Sequence, residues 1–412
     1  MQSVMPPALS AITAAVADVD QRELDVPPGE ITDMADMADL RQAWAQIPDP
    51  RSPRGRRHPL VVILALVQAA IVSGATSYAA IRHWITEVPQ EVLHQIGARR
   101  DRRTGLYTAP HPDTVCRTLA QVNATHVDAA YAAHRAGQIV DFYDDPDDLV
   151  PMTLDGKTQR GTATSDKPAQ HRLGVQLAPD GIVVAQIDVV SKSNEITAFA
   201  PLLDQIGCLK NVVISADMMH TQRGHARYLH KRDAFYVFPV GGNQSGLFDQ
   251  LDALAWNQVP IGWTTYNHGH GHGRTEIRTI QVMPAPPGTR FPHVKQVFLL
   301  ERHVYDLEWK PLSNVAVLGV TNLTEQLAGP RRLAELVRGE WSIENRDHYV
   351  RDVTFGEDRC RVRTGSAPSI LAVMRSYAIG ALRLLNFTNI AEGTRWARDD
   401  FRNPLIALGL TM

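Results

Sequence analysis

Apolar positions along the chain change their rhythm several times, and the changes mark out its elements. From Leu60 to Ala75 they run almost unbroken around a single Gln68. That run is shorter than the roughly 20 residues needed to cross a bilayer, so it predicts a buried helix stopped at Gly74. Before it, residues 36–47 carry a helical pattern closed by Pro48-Asp49-Pro50. After it, Tyr78, Ile81 and Trp84 keep helical spacing over about 77–86. Residues 36–135 thus predict a helical N-terminal domain, preceded by a mobile tail (1–35) without a sustained period.

Asp141 to Asp148 is an acidic, proline-containing linker, and beyond it the period becomes that of strands. Thr153–Asp155 is the first. Arg172 to Leu177 and Ile182–Val190 make a hairpin across Ala178-Pro179-Asp180-Gly181. Ser193 offers a cap to a helix whose Ile196, Phe199, Leu202, Leu203 and Ile206 share a face. Val212–Asp217 is a second buried strand ending on an acid, and a helix and the strand Phe235–Val240 follow. A meander and then alternating helix and strand predict an α/β fold, a mixed sheet flanked by helices. Ile261–Tyr266, Thr275–Met283 and Gln296–Tyr305 read as strands of a β-rich insertion (245–328). It separates a first core segment (149–244) from a second (329–386). A helical pattern resumes at Arg331 and continues through Glu344 to about Arg351. A last helix covers 367–386, before a C-terminal segment (387–412).

Composition narrows the class only modestly. The 412 residues are 44% apolar and 21% charged, with a formal net charge of −2, so any anionic partner must be met by local basic clusters. Two exist: Arg51, Arg54, Arg56 and Arg57, and Arg99, Arg100, Arg102 and Arg103. Either could be a solvated loop or a phosphate contact. Cys116, Cys208 and Cys360 are odd in number and far apart, which fits a reducing, cytoplasmic setting and neither a disulfide framework nor a cysteine zinc site. The first thirty-odd residues have no secretory pattern.

Three acids stand out. Asp155 and Asp217 each follow a buried apolar stretch. Glu344 shares a helical face with Val337, Trp341, His348 and Arg351, while Leu333, Leu336, Ile343 and Val350 form another. Asp155-Gly156, with Lys157 and Arg160 close behind, suits a metal-holding strand end and equally suits a hairpin turn. His268, His270 and His272 alternate, as strand ligands of a transition metal would, but the glycines between them favour a loop.

The ordered series Asp155-Gly156-Lys157, Arg160-Gly161, Lys192-Ser193-Asn194-Glu195-Ile196, Ala216-Asp217 with His220 and Gln222, Gly242-Asn243-Gln244, His272-Gly273-Arg274 with Glu276 and Arg278, Arg338-Gly339, Trp341, Ile343-Glu344-Asn345 and Asp352-Val353-Thr354-Phe355 resembles the DDE transposases of bacterial insertion sequences, specifically the H-repeat-associated kind. The resemblance spans about 36 to 386, with Asp49-Pro50-Arg51 and Gly55 matching the family's helical N-terminal part.

It implies an RNase H-like core, catalytic acids at Asp155, Asp217 and Glu344, and two Mg²⁺ ions, with Mn²⁺ as a possible substitute. Asp155 would be shared between the ions, Asp217 would hold one and Glu344 the other. The implied reaction is cleavage and strand transfer at the ends of the element. DNA, as terminal inverted repeats and target, is the implied partner, and a homo-oligomer the implied active form, at the nucleoid. Lys157, Arg160, Lys192 and Arg351 are candidate phosphate ligands, with surface ion pairing as the alternative, and Asn194, Asn243 and Gln244 could touch DNA or cap a backbone; His272, Arg274, Arg338 and Asn345 of the matched motifs are further DNA-binding candidates. Trp341 could stack on a base or pack in the core.

Two departures from the family's pattern bear on a hairpin intermediate and on one phosphate contact. The Tyr-x2-Arg-x3-Glu-x6-Lys pattern of hairpin-forming relatives meets Val337, Glu340, Glu344 and Arg351 here, and Gly241 stands where the family usually has Lys. A domesticated nuclease without strand transfer and an inactive DNA-binding relic are the alternatives.

Overall fold

The computed structural model describes residues 39–140, 148–178, 180–189, 194–268, 273–340 and 342–410. The tail, most of the acidic linker, Lys192, Ser193, His270, His272 and Trp341 lie outside the described residues. The chain divides into two units. Of the described residues, the smaller unit takes Ser215–His230 and Phe235–Arg338, and the larger takes the rest.

In the larger unit the helix Leu60–Val72 is buried on nearly every side, which is why its sequence has no polar face. It stops at Gly74, whose φ of +84° is available to glycine at little cost. Gln68 is the informative exception to its apolar run. Its Nε2 donates to the Met374 carbonyl at 3.0 Å, and its Oε1 accepts from the Tyr131 hydroxyl at 2.6 Å. A buried amide left unpaired would cost roughly 1–3 kcal/mol, so this residue fixes its helix against Ala367–Leu384 and Ala124–Val140. One apolar core runs from Leu40 through these helices to Leu410. The N-terminal helices are therefore packed with the C-terminal ones: Trp84 lies 5.3 Å from Phe401 between ring centroids, and Gln95 donates to the Leu410 carbonyl.

A two-residue ladder, β1 (Arg99–Arg100) with β2 (Tyr107–Thr108), carries part of the second arginine cluster. The larger unit's main sheet is an antiparallel meander of β3 (Val150–Gln159), β4 (Gln170–Leu177) and β5 (Ile182–Val189), in the order β5-β4-β3. Arg172 on β4 is fully buried between Asp128, 2.6 Å away on the Ala124–Val140 helix, and Asp188, 2.5 Å away on β5. The strand β6 (Val212–Ala216) comes next in the chain, buried along its whole length, with Ser215 and Ala216 counted in the smaller unit.

The smaller unit holds β7 (Phe235–Val240) and four long strands, β8 (Ile261–His268), β9 (Arg274–Pro284), β10 (Gln296–Asp306) and β11 (Pro311–Thr321), hydrogen-bonded in the order β7-β11-β10-β9-β8. The pairs are all antiparallel. The three strands expected between 261 and 305 are present, and β11 adds a fourth that the pattern did not single out. It aligns Leu318 opposite Val240, so these strands extend a ladder that begins at β7. The architecture is mixed α/β, as expected.

Candidate metal centre

β3 runs through Asp155-Gly156 without a break: Asp155 lies opposite Gly174, Gly156 opposite Leu173 and Lys157 opposite Arg172. Asp155 is therefore mid-strand rather than at a strand end, and no turn occurs at Gly156. The glycine serves a different purpose. A Cβ at this position would stand 2.5 Å from Glu195 Oε1 and 2.7 Å from His171 Nε2. Those two groups are buried and bonded to each other at 2.6 Å, and His171 Nδ1 continues to the Thr158 hydroxyl at 2.8 Å. Alternation along the strand sends Asp155 and Lys157 to the opposite side. There Asp155 is half-exposed and accepts from the Gly156 amide at 2.7 Å.

The single helix expected from Arg331 to about Arg351 is interrupted. One helix spans Pro330–Gly339, and helix resumes at Ser342 and Ile343, widening into a π-helical turn at Glu344–His348 that leads into Tyr349–Val353. Such wide turns recur at functional positions. Here Glu344 Oε2 and His348 Nδ1 meet at 3.0 Å, and the same nitrogen is 3.7 Å from Asp155 Oδ2. Asp155, Glu344 and His348 each present a ligand atom within 4.8 Å of the others. The His348 hydrogen bond, against the opposing effect of burial and helped by Lys157, holds the Glu344 carboxyl below its ordinary value. Two carboxylate oxygens and an imidazole nitrogen form a donor set that fits a divalent cation. His348 was legible only as a neighbour of Glu344 on a helical face.

Asp217 belongs to the smaller unit. As expected it ends a buried strand, β6, and its Oδ1 accepts from the Met219 amide at 3.0 Å, capping a short 3-10 turn. Asn243 Nδ2 donates to the Met218 carbonyl at 2.5 Å, and Gln244 follows in its own 3-10 turn. The departure at Gly241 has a local reason, since the Met218 thioether occupies the space where a Cβ would stand.

Arg351, expected to contact DNA, is paired within the protein. Its guanidinium is buried and spoken for, bonded to Glu357 at 2.6 and 3.1 Å and to Asp347 at 3.1 Å. Burial works against its charge, and Glu357 and Asp347 more than reverse the effect. Arg375 completes the network at 3.2 Å from Glu357. Lys157 is likewise nearly enclosed, with its ammonium 2.6 Å from Asp352. Lys157 and Arg351 are each paired inside the protein, and a cation so paired is poorly placed to neutralise a phosphate. Arg160 is 84% exposed, with only a 3.6 Å approach to Asp358. Arg274, Arg338, Asn194 and Asn345 are also exposed. Glu276 and Arg278 of the matched motif form a cross-strand ion ladder with Arg302, at 2.6 Å on each side. In the first arginine cluster Arg51 and Arg56 approach Asp49, while Arg54 and Arg57 stay exposed.

Comparison with known proteins adds an independent line. A family model described as "Transposase DDE domain" matches residues 154–379, and one described as "DDE_Tnp_1-associated" matches 41–135. The chain is 28% identical over 358 residues to the protein named "H repeat-associated putative transposase YhhI" of Escherichia coli (strain K12), covering 82% of this chain and 88% of that one. It is 29% identical over 245 residues to "H repeat-associated putative transposase YbfD" of the same strain, covering 58% and 92%. A protein described only by its place in the dhlA 3' region of Xanthobacter autotrophicus is 30% identical over 251 residues, covering 57% and 77%.

Proposed function

The chain belongs to the DDE transposase family, of the H-repeat type, and from that premise we propose that it cuts and rejoins DNA at the ends of its own insertion sequence. The observation that carries the reading is the meeting of Asp155 with Glu344, brought together from distant parts of the chain.

In this reading the core is RNase H-like, begun by the β3–β4–β5 meander, and β8–β11 are an insertion between the second and third acids. Asp155, Asp217 and Glu344 would hold divalent ions, Mg²⁺ in the cell, with Mn²⁺ able to replace it. When bound, two such ions activate the attacking oxygen of a phosphodiester exchange and neutralise the leaving one.

The protein's share is positioning and electrostatics. Asp155 is held rigidly by pairing on both its neighbours in β3. Glu344 is kept ionised by His348. Lys157, tied to Asp352, and Arg351, tied to Glu357, steady the strand and the helix that carry the two acids. Arg160, Arg274 and Arg338, exposed and cationic, bind DNA phosphates, and Asn194 and Asn345, also at the surface, contact the same DNA. Water opens the strand first, and the freed 3′-hydroxyl then attacks the target. The active form is a homo-oligomer on paired ends.

Purified protein with Mg²⁺ should nick DNA carrying the inverted repeats that flank the gene and join the cut end to a second duplex. Cutting without joining would leave a nuclease, and binding without cutting a DNA-binding relic.

A further inference from the structure

The family's three acids do not account for His348. Its ring is buried, with only 6% of the side chain exposed, in the wall of the candidate metal centre. One nitrogen, Nδ1, faces the two acids at 3.0 and 3.7 Å. The other, Nε2, faces Asp347 Oδ2 at 4.0 Å. Asp347 is itself buried, anchored through that oxygen to Arg351 at 3.1 Å, and its Oδ1 has no hydrogen-bond partner among the described residues.

A neutral imidazole has one N–H and one lone pair. With Nδ1 on a cation the N–H lies on Nε2, and the buried Asp347 carboxylate stands 4.0 Å behind it, on the side from which second carboxylates commonly orient metal-bound histidines. Without a cation, Nδ1 hydrogen-bonds Glu344 Oε2 at 3.0 Å. A cation drawn to the two acids would take the place of that contact, with all three ligand atoms already within 4.8 Å of one another. Glu344 and His348, four residues apart on the π-helical turn, meet at 3.0 Å.

We propose that His348, through Nδ1, is a direct ligand of the divalent ion held by Asp155 and Glu344, with Asp347 setting the orientation of its ring. This rests on the reading of those acids as metal ligands. The centre would then be a mixed oxygen–nitrogen site. A nitrogen ligand favours Mn²⁺ over Mg²⁺, since imidazole suits the softer first-row ions.

The test uses the full chain with Mn²⁺ as the probe. Electron spin-echo modulation of the bound Mn²⁺ should show coupling to a ¹⁴N nucleus, replaced by a ¹⁵N pattern when the protein is made with ¹⁵N-histidine. This measurement needs no variant and so is independent of any folding defect. In His348→Gln the coupling should vanish and Mn²⁺ affinity should fall about tenfold or more, with a smaller loss for Mg²⁺. Mn²⁺ bound without nitrogen coupling, or coupling that persists in a folded His348→Gln protein, overturns the role of His348 while leaving the acids as ligands. Asp155→Asn separates the two readings: it should abolish tight Mn²⁺ binding, and undiminished binding would overturn the metal centre and the inference together.

Discussion

Gly156 and Glu195 touch across β3: the carboxylate of Glu195 occupies the place where any larger residue at 156 would put its Cβ. The acid beside that glycine is Asp155, so the packing on one face of the strand sets the position of the carboxylate on the other.

Gly156→Ala should therefore destabilise the protein by about 1–3 kcal/mol, as overpacking of a buried site does. The clashing atoms belong to Glu195 and His171, which hold each other and cannot easily withdraw. Thermal melting checks this. An unchanged melting temperature would mean that the network is loose enough to yield.

Glu357→Gln removes a carboxylate that neutralises two buried guanidiniums. Breaking a buried pair of this kind costs on the order of 3 kcal/mol, and denaturant unfolding should show it. Burial alone would raise the Glu357 carboxyl, and Arg351 and Arg375 more than reverse this, holding it near about 2. A folded value below the ordinary one means that the stabilisation is present above the ordinary carboxylate range. It is then lost as pH falls from about 4.5 towards about 2. The acid limb of the stability curve should be flatter in Glu357→Gln than in the parent.

Arg351→Lys separates a structural role from a DNA contact. A lysine cannot reproduce the forked pairing with Glu357 and Asp347, so melting should suffer. At a temperature where the variant is folded, its DNA affinity should match the parent's. Arg160→Ala, Arg274→Ala and Arg338→Ala should do the opposite. Each should leave melting unchanged, weaken DNA binding regardless of sequence and reduce the salt slope by about 1 per lost phosphate contact.

Much of this was legible because it depends on local pattern. The apolar run at 60–72, the β4–β5 hairpin and the strand-terminal Asp217 all follow from periodicity within a few residues. What was not legible depends on partners far away in sequence. Asp-Gly at 155–156 reads as a turn until Glu195 and His171 are seen filling the space above the glycine. Arg351 reads as a free cation on a helix until Glu357 and Arg375 close around it. Gln68, an anomaly in an apolar helix, was a real signal that Met374 and Tyr131 would lie against that helix. The i,i+4 spacing makes His348 legible as a helical neighbour of Glu344, but its place in the metal centre depends on Asp155, which is far away in sequence.

The catalytic assignment is tested most directly by one cleavage assay. It uses DNA carrying the element's ends, with Mg²⁺, and compares the parent with Asp155→Ala, Asp217→Ala and Glu344→Ala, each first shown to be folded. All three variants should lose cleavage, by on the order of 10³-fold or more if each removes several kcal/mol of transition-state stabilisation. Parent-like cleavage by any one of them would remove that acid from the mechanism.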